Sequence, residues 1–223
     1  MRLIAHRGFL SVNPENTIEA AEAAAAVADG IEIDVRRCGS GEPVVIHDET
    51  VDRVTDGHGP VDEHTRSDLD ALNVLGTGAC VPTLEAVLRA IPDHVGVNVE
   101  LKEPGMEADV LRLIDSIHPH GIVSSFYRDI LRDCREIDPT VPRAYITKEA
   151  GTDCVDIAEE LGCEFLHPWI ESCTDGTVSA AHRAGMSVTA WAAKTSAEAQ
   201  KGSELGADGV IANSPDVLDE QAR

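Results

Sequence analysis

Aromatic side chains make up only 3% of this 223-residue chain. A hydrophobic content of 43% still supports a core, which must be built mostly from Val, Ile, Leu and Ala. No apolar run approaches the roughly 20 residues of a membrane-spanning helix. Met1-Arg2-Leu3 leads straight into an apolar stretch rather than into a leader pattern. These features predict a soluble, cytoplasmic protein. Basic residues are also scarce: 18 Lys and Arg stand against 40 Asp and Glu, a formal charge of −22, and only Lys102, Lys148, Lys194 and Lys201 are lysines. Such a charge repels nucleic acid and anionic bilayers, so neither nucleic-acid binding nor stable membrane association is expected. An acid-rich, lysine-poor chain suits a saline, halophilic setting in which screening suppresses self-repulsion; an ordinary acidic protein is the alternative. The six cysteines include no Cys-x-x-Cys pair, which argues against structural zinc and against a disulfide framework.

What the chain does have is alternation. Residues 3–5 read as a buried strand, and residues 17–28 form an alanine-rich helical run stopped at Asp29-Gly30. Strands at 31–35 and 44–46 bracket a turn at Gly39-Ser40-Gly41. Residues 49–81 are polar and read as an insertion with one helical turn near 67–72, and a helix follows over 82–91. Strands are then expected at 96–101, 122–126, 143–146, 163–166, 187–191 and 209–211. Helices over 106–117, 129–137, 153–161, 176–184 and 196–205 separate them. Gly121, Gly162, Gly185 and Gly206 mark helix ends. Eight or nine strands with intervening helices predict an α/β fold, a single (β/α)8 TIM barrel over 1–223 with a small insertion after the second or third strand. A doubly wound open sheet is the alternative.

Ionisable residues recur where apolar strands end. The first strand delivers His6-Arg7-Gly8, and residues 44–46 deliver His47-Asp48. In 31–35, Glu32 and Asp34 are two apart and share a strand face, and Glu100 lies near the end of another apolar strand. A surface strand with a wet polar face would explain the spacing too. If the three carboxylates converge at one barrel mouth, their repulsion calls for a cation, and oxygen-only ligands favour Mg²⁺ or Ca²⁺. Two histidines on neighbouring strands, with a metal and Arg7, suit acid–base chemistry on a phosphoester. Two salt-bridged structural histidines would show the same spacing. His58, His64, His118 and His120 read as exposed loop residues, and His167-Pro168-Trp169 as a segment that lines the mouth or merely follows a strand.

Taken in order, Ala5-His6-Arg7-Gly8, Pro14-Glu15-Asn16-Thr17, Glu32-Ile33-Asp34-Val35, Val45-Ile46-His47-Asp48 and Glu100-Leu101-Lys102 resemble the glycerophosphodiester phosphodiesterase family. Weaker echoes occur at Asp52-Arg53-Val54-Thr55, Pro82-Thr83-Leu84-Glu85, Val123-Ser124-Ser125-Phe126 and Gly206-Ala207-Asp208-Gly209. The resemblance implies a TIM barrel that hydrolyses small glycerophosphodiesters to glycerol 3-phosphate and an alcohol. It implies His6 and His47 as the acid/base pair, Glu32, Asp34 and Glu100 as ligands of a divalent metal, and Arg7 and Lys102 near the phosphate. Phe126 and Trp191 would wall the glycerol. Trp191-Ala192-Ala193-Lys194 departs from the family's usual Trp-Thr-Val-Asn, and Tyr127 stands where a short polar residue is common. Lysophospholipase D activity, a relationship to phosphatidylinositol-specific phospholipases, and a non-catalytic phosphodiester-binding module are the other readings.

Overall fold

The computed structural model describes residues 1–118, 120–149 and 151–218. Strands β1 (Arg2–His6), β2 (Gly30–Arg37), β3 (Pro43–Val45), β4 (Gly96–Leu101), β5 (Gly121–Ser125), β6 (Arg143–Thr147), β7 (Phe165–Pro168), β8 (Ser187–Ala193) and β9 (Gly209–Ala212) form one sheet. The helices are α1 (Ile18–Ala25), α2 (Arg66–Asp70), α3 (Leu84–Ala90), α4 (Glu107–Ile117), α5 (Arg128–Ile137), α6 (Asp153–Glu160), α7 (Asp175–Arg183) and α8 (Ser196–Glu204). Because β1 pairs in parallel with both β2 and β9, eight parallel strands close into a (β/α)8 barrel in the order β1-β2-β4-β5-β6-β7-β8-β9. Among the described residues no helix is long and apolar enough to cross a membrane.

The main core lies between strands and helices. Leu3, Ala5, Ile31, Ile33, Val35, Val97, Val99 and Leu101 turn away from the barrel axis, packing with Ala21 and Ala24 of α1, Leu84 and Leu88 of α3, and Val110 and Ile114 of α4. Alternation then leaves Glu32, Asp34, Asn98 and Glu100 on the axial side. Thr17, Thr83, Thr174 and Thr195 cap α1, α3, α7 and α8, each side chain accepting a backbone N–H in the first turn.

Two elements differ from the sequence expectation. The ninth strand, β3, lies outside the barrel and pairs antiparallel with β2, Val35 opposite Val45. His6 and His47 therefore follow strands that pair with the same edge of β2, one after the other along it, and not with each other. Between β3 and α3 the chain contains α2 and a short 3₁₀ turn at Val61–Glu63, with a satellite apolar cluster that includes Val51, Val54, Leu69 and Val74. The seventh strand begins two residues later than residue 163. Gly162 ends α6 in the left-handed region (φ 67°), and the Cys163 N–H bonds back to Ala158, so pairing starts only at Phe165. Gly185 and Gly206 likewise follow helices with positive φ, whereas Gly121 is the first residue of β5.

Candidate active site

At the carboxyl end of β1 the chain turns through three successive left-handed residues, Arg7 (φ 52°), Gly8 (φ 75°) and Phe9 (φ 67°). Gly8 is required here on two counts: its φ, and a Cβ that would lie 2.7 Å from that of Ala20. The turn is held by backbone N–H donation from Arg7 to Glu32 (2.9 Å), from Phe9 to His6 (2.9 Å) and from Asn16 to Arg7 (3.1 Å). The amide of Asn13 donates to the Gly8 carbonyl at 2.7 Å, and the Phe9 ring is fully buried. His6 and Arg7 consequently reach the same pocket. His6 Nδ1 lies 2.6 Å from Asn213 Oδ1, an acceptor, which places the proton on Nδ1. Nε2 lies 3.8 Å from Glu32 Oε2. Burial, then the charge of Arg7, pushes the His6 pKa down to about 4, so the ring is neutral near pH 7.

β2 is not a surface strand: Glu32 and Asp34 are buried like Ile31 and Ile33 beside them. Asp34 is in register with Glu100 of β4. One oxygen from each of Glu32, Asp34 and Glu100 lies within 4.8 Å of the other two. Burial and the neighbouring carboxylates push Glu32 well above the usual range, and burial with Asp34 pushes Glu100 up to about 7. Burial works the same way on Asp34, but the Arg7 and Lys102 cations outweigh it and hold that carboxyl at about 2. Arg7 Nε is 2.9 Å from Asp34 Oδ2, and Lys102 Nζ is 2.6 Å from Glu100 Oε1 and 3.4 Å from Asp34 Oδ1. Glu32 Oε1 has no hydrogen-bond partner among the described residues despite full burial. Three converging hard oxygen donors, one of them orphaned and two disfavoured as anions, fit a divalent cation of the magnesium or calcium type.

His47 lies two residues beyond β3. Its Nδ1 is 2.6 Å from Asp48 Oδ1, whose other oxygen accepts from Arg53 Nε at 2.5 Å. Arg53 also grips both oxygens of Glu15 (2.8 and 2.9 Å), and Glu15 accepts from Arg7 Nη1 at 2.9 Å. A continuous chain of charge-assisted bonds thus runs from His47 back to Arg7. Asp48 is held at about 2: burial opposes ionisation, but bonds from Arg53 and His47 prevail. Burial is the largest influence on His47 and lowers its pKa; Asp34 pulls the other way and Arg7 adds to the lowering.

The far wall of the pocket is aromatic. Phe126 stands edge-on to Trp191, with centroids 5.4 Å apart at 87°. Trp191 Nε1 donates to the His167 carbonyl at 2.8 Å. His6, Arg7, Glu32, His47, Glu100, Lys102, Phe126 and Trp191 all line one pocket of about 390 Å³, and Asp34 lies buried beneath it. His167 and Trp169 line it too, a consequence of where β7 begins. Asn213, Glu15, Asp48 and Arg53 complete the site without having been assigned a role from sequence. Of these, only Glu15, Asp48 and Arg53 fall in motif segments that signalled their presence. His58 is exposed against Asp52, as expected, and His64 Nδ1 meets the Pro60 carbonyl. His118, expected at the surface, is completely buried at the end of α4, whereas His120 is exposed.

Barrels of this kind carry their chemistry at the carboxyl ends of the strands, and here that end gathers two histidines, three carboxylates, an arginine and a lysine. The glycerophosphoryl diester phosphodiesterase family model matches residues 6–217, and the chain belongs to that family. It is 32% identical to a glycerophosphodiester phosphodiesterase of Caldanaerobacter subterraneus, over 97% of this chain and 95% of the relative. An Oleispira antarctica phosphodiesterase solved with its product sn-glycerol-3-phosphate is 27% identical with a TM-score of 0.89, covering 96% of this chain and 94% of that one. A glycerophosphodiester phosphodiesterase from Agrobacterium tumefaciens is 27% identical with a TM-score of 0.84, covering 97% and 98%.

Proposed function

We propose that this protein hydrolyses glycerophosphodiesters to glycerol 3-phosphate and an alcohol, using Mg²⁺ or Ca²⁺ and a pair of histidines. The observation that supports this most strongly is the meeting of His6, His47 and the carboxylate triad in one pocket of a chain from this family. Glu32, Asp34 and Glu100 would hold the dication. When bound, such an ion polarises a phosphoryl oxygen and neutralises its charge. Arg7, anchored by Glu15 and Asp34, offers a fixed guanidinium to the phosphate, and Lys102 adds a second positive group beside it. One imidazole accepts the proton of the attacking oxygen while the other protonates the departing one. The bond from phosphorus to the alcohol oxygen breaks as a new phosphorus–oxygen bond forms, and the alcohol leaves with the delivered proton. Asn213 and Asp48 fix the two rings through Nδ1, so each presents Nε2 to substrate. Phe126 and Trp191 supply the apolar surface against which glycerol packs. Unpaired thiols, five of them buried, suit a reducing cytoplasm.

The test is release of glycerol 3-phosphate from a panel of glycerophosphodiesters with Mg²⁺, Ca²⁺ or EDTA. Metal-dependent release is expected. Full activity in EDTA would remove the metal from the proposal, and no release from any diester would overturn it.

A further inference from the structure

This protein has only four lysines, and three of them, Lys102, Lys148 and Lys194, line the one pocket. The fourth, Lys201, donates to the carbonyls of Ile170 and Glu171 outside it. Lys102 is neutralised by Glu100 and Asp34, as Arg7 is by Asp34 and Glu15. Lys148 and Lys194 have no ion pair among the described residues. Lys148 follows β6 and Lys194 follows β8, and β7 between them faces β2 across the eight-strand ring. The two free ammonium groups therefore flank the side of the mouth opposite the carboxylates. Lys148 is also aimed: its Nζ sits 5.8 Å from the centroid of the Trp191 ring, which is itself pinned by Phe126 and by the His167 carbonyl. Nearby acids are engaged elsewhere. Glu198, which feels the Lys194 charge, accepts from the backbone N–H groups of Lys194 and Thr195 at 2.6 and 2.9 Å, capping α8. Glu149 lies in the field of Arg128.

On a surface of −22 overall, two cations at the pocket rim that no salt bridge neutralises make that side of the mouth less negative. The phosphodiester itself is already matched by Arg7, Lys102 and a dication. Resting on the diesterase reading, we propose that Lys148 and Lys194 select a diester whose second alcohol carries a further anionic group, a phosphate monoester or a carboxylate. That group extends over the Trp191 wall. The same cations disfavour an alcohol bearing a quaternary ammonium, which would otherwise be drawn to the Trp face that Lys148 occupies.

The experiment compares kcat/KM of the metal-loaded enzyme, at the lowest salt giving full activity, on four substrates. These are glycerophosphoglycerol, the same diester bearing a terminal phosphate monoester, glycerophosphoglycerate and glycerophosphocholine. At least one anionic substrate should exceed glycerophosphocholine by about tenfold, mainly through KM, with the neutral diester between them. Which of the two anionic arms leads identifies the group as phosphate or carboxylate. In the double variant Lys148→Gln, Lys194→Gln the anionic-to-neutral ratio should fall toward one, and added salt should lower the same ratio in the parent. Because ratios are read, a general loss of activity in the variant does not imitate the result. Equal or better turnover of glycerophosphocholine, or a preference that survives in the double variant, would overturn this selection alone. Failure to hydrolyse any of the four would overturn the diesterase reading and the selection with it.

Discussion

His6 and His47 are chemically alike but are held by different partners. A neutral amide, Asn213, holds His6, whereas His47 sits on an ionised Asp48 that is itself clamped by Arg53. Replacing either histidine by alanine should lower turnover by about a hundredfold or more, with the melting temperature little changed. Asn213→Ala should cost less, about tenfold in kcat, because the imidazole survives but its orientation and tautomer are freed. Steady-state kinetics checked against circular dichroism would decide both, and an unaltered kcat in Asn213→Ala would show that packing alone orients His6. The histidines were legible in sequence because each follows a short apolar run, a pattern that places a polar group at a strand's end. Asn213 was not, since it meets His6 across 207 residues and only barrel closure brings β9 beside β1. The same holds for Glu15 and Arg53, whose motifs were visible but whose bonds to each other depend on the fold of the segment after β3.

At the level of elements, β2 sets the site's electrostatics. Buried on both faces, it carries Glu32 and Asp34 on its axial side next to Glu100 of β4. In the unfolded chain a glutamate ionises near its ordinary value of about 4.3, while Glu100 in the metal-free fold retains its proton up to about 7. At this carboxyl the folded state binds more protons than the unfolded chain across that interval, so its contribution to stability is full at low pH and is lost as pH rises through about 7. Buried His6 and His167, pushed down to about 4 and about 3, contribute with the opposite sign below about pH 6.5, so the share of Glu100 is read as a difference between two proteins. The melting temperature of the EDTA-treated parent relative to that of Glu100→Gln is expected to be lower at about pH 8 than at about pH 5.5, and saturating Mg²⁺ should abolish that fall. Scanning calorimetry of both proteins at the two pH values checks this; a relative midpoint that rises with pH would mean that the triad is not strained. The turn after β1 is equally exacting. Gly8→Ala places a methyl against Ala20 in a backbone region hostile to side chains, and should destabilise the protein by about 2 kcal/mol or more. Chemical denaturation would measure it. The alternation of elements was legible because each strand is an apolar run and most helices open on Thr, Ser or Pro. The start of β7 and the pairing of β3 were not, because both depend on hydrogen bonds made outside the segment itself: the Cys163 turn onto α6, and the hairpin with β2.

For the whole molecule, charge decides. Forty acidic residues against 18 basic ones leave −22 spread over a surface of 9680 Å², while several of the cations are drawn into the pocket or its supporting network. Arg7, Arg53 and Lys102 each answer two or more carboxylates there, so they do little to offset repulsion over the rest of the surface. At about 0.1 M salt a Debye length of roughly 10 Å lets like charges on adjacent helices act on one another, and at about 1 M roughly 3 Å does not. Adding KCl should therefore raise the melting temperature steeply at first and then flatten toward molar concentration. Stabilisation by exclusion of solute from the surface would instead keep climbing. Thermal melts followed by circular dichroism across that range separate the two. A curve that plateaus assigns the gain to screening and supports a chain built for saline surroundings. A midpoint indifferent to salt would show that local pairs already balance the surface, and would leave the acidity without a stability consequence.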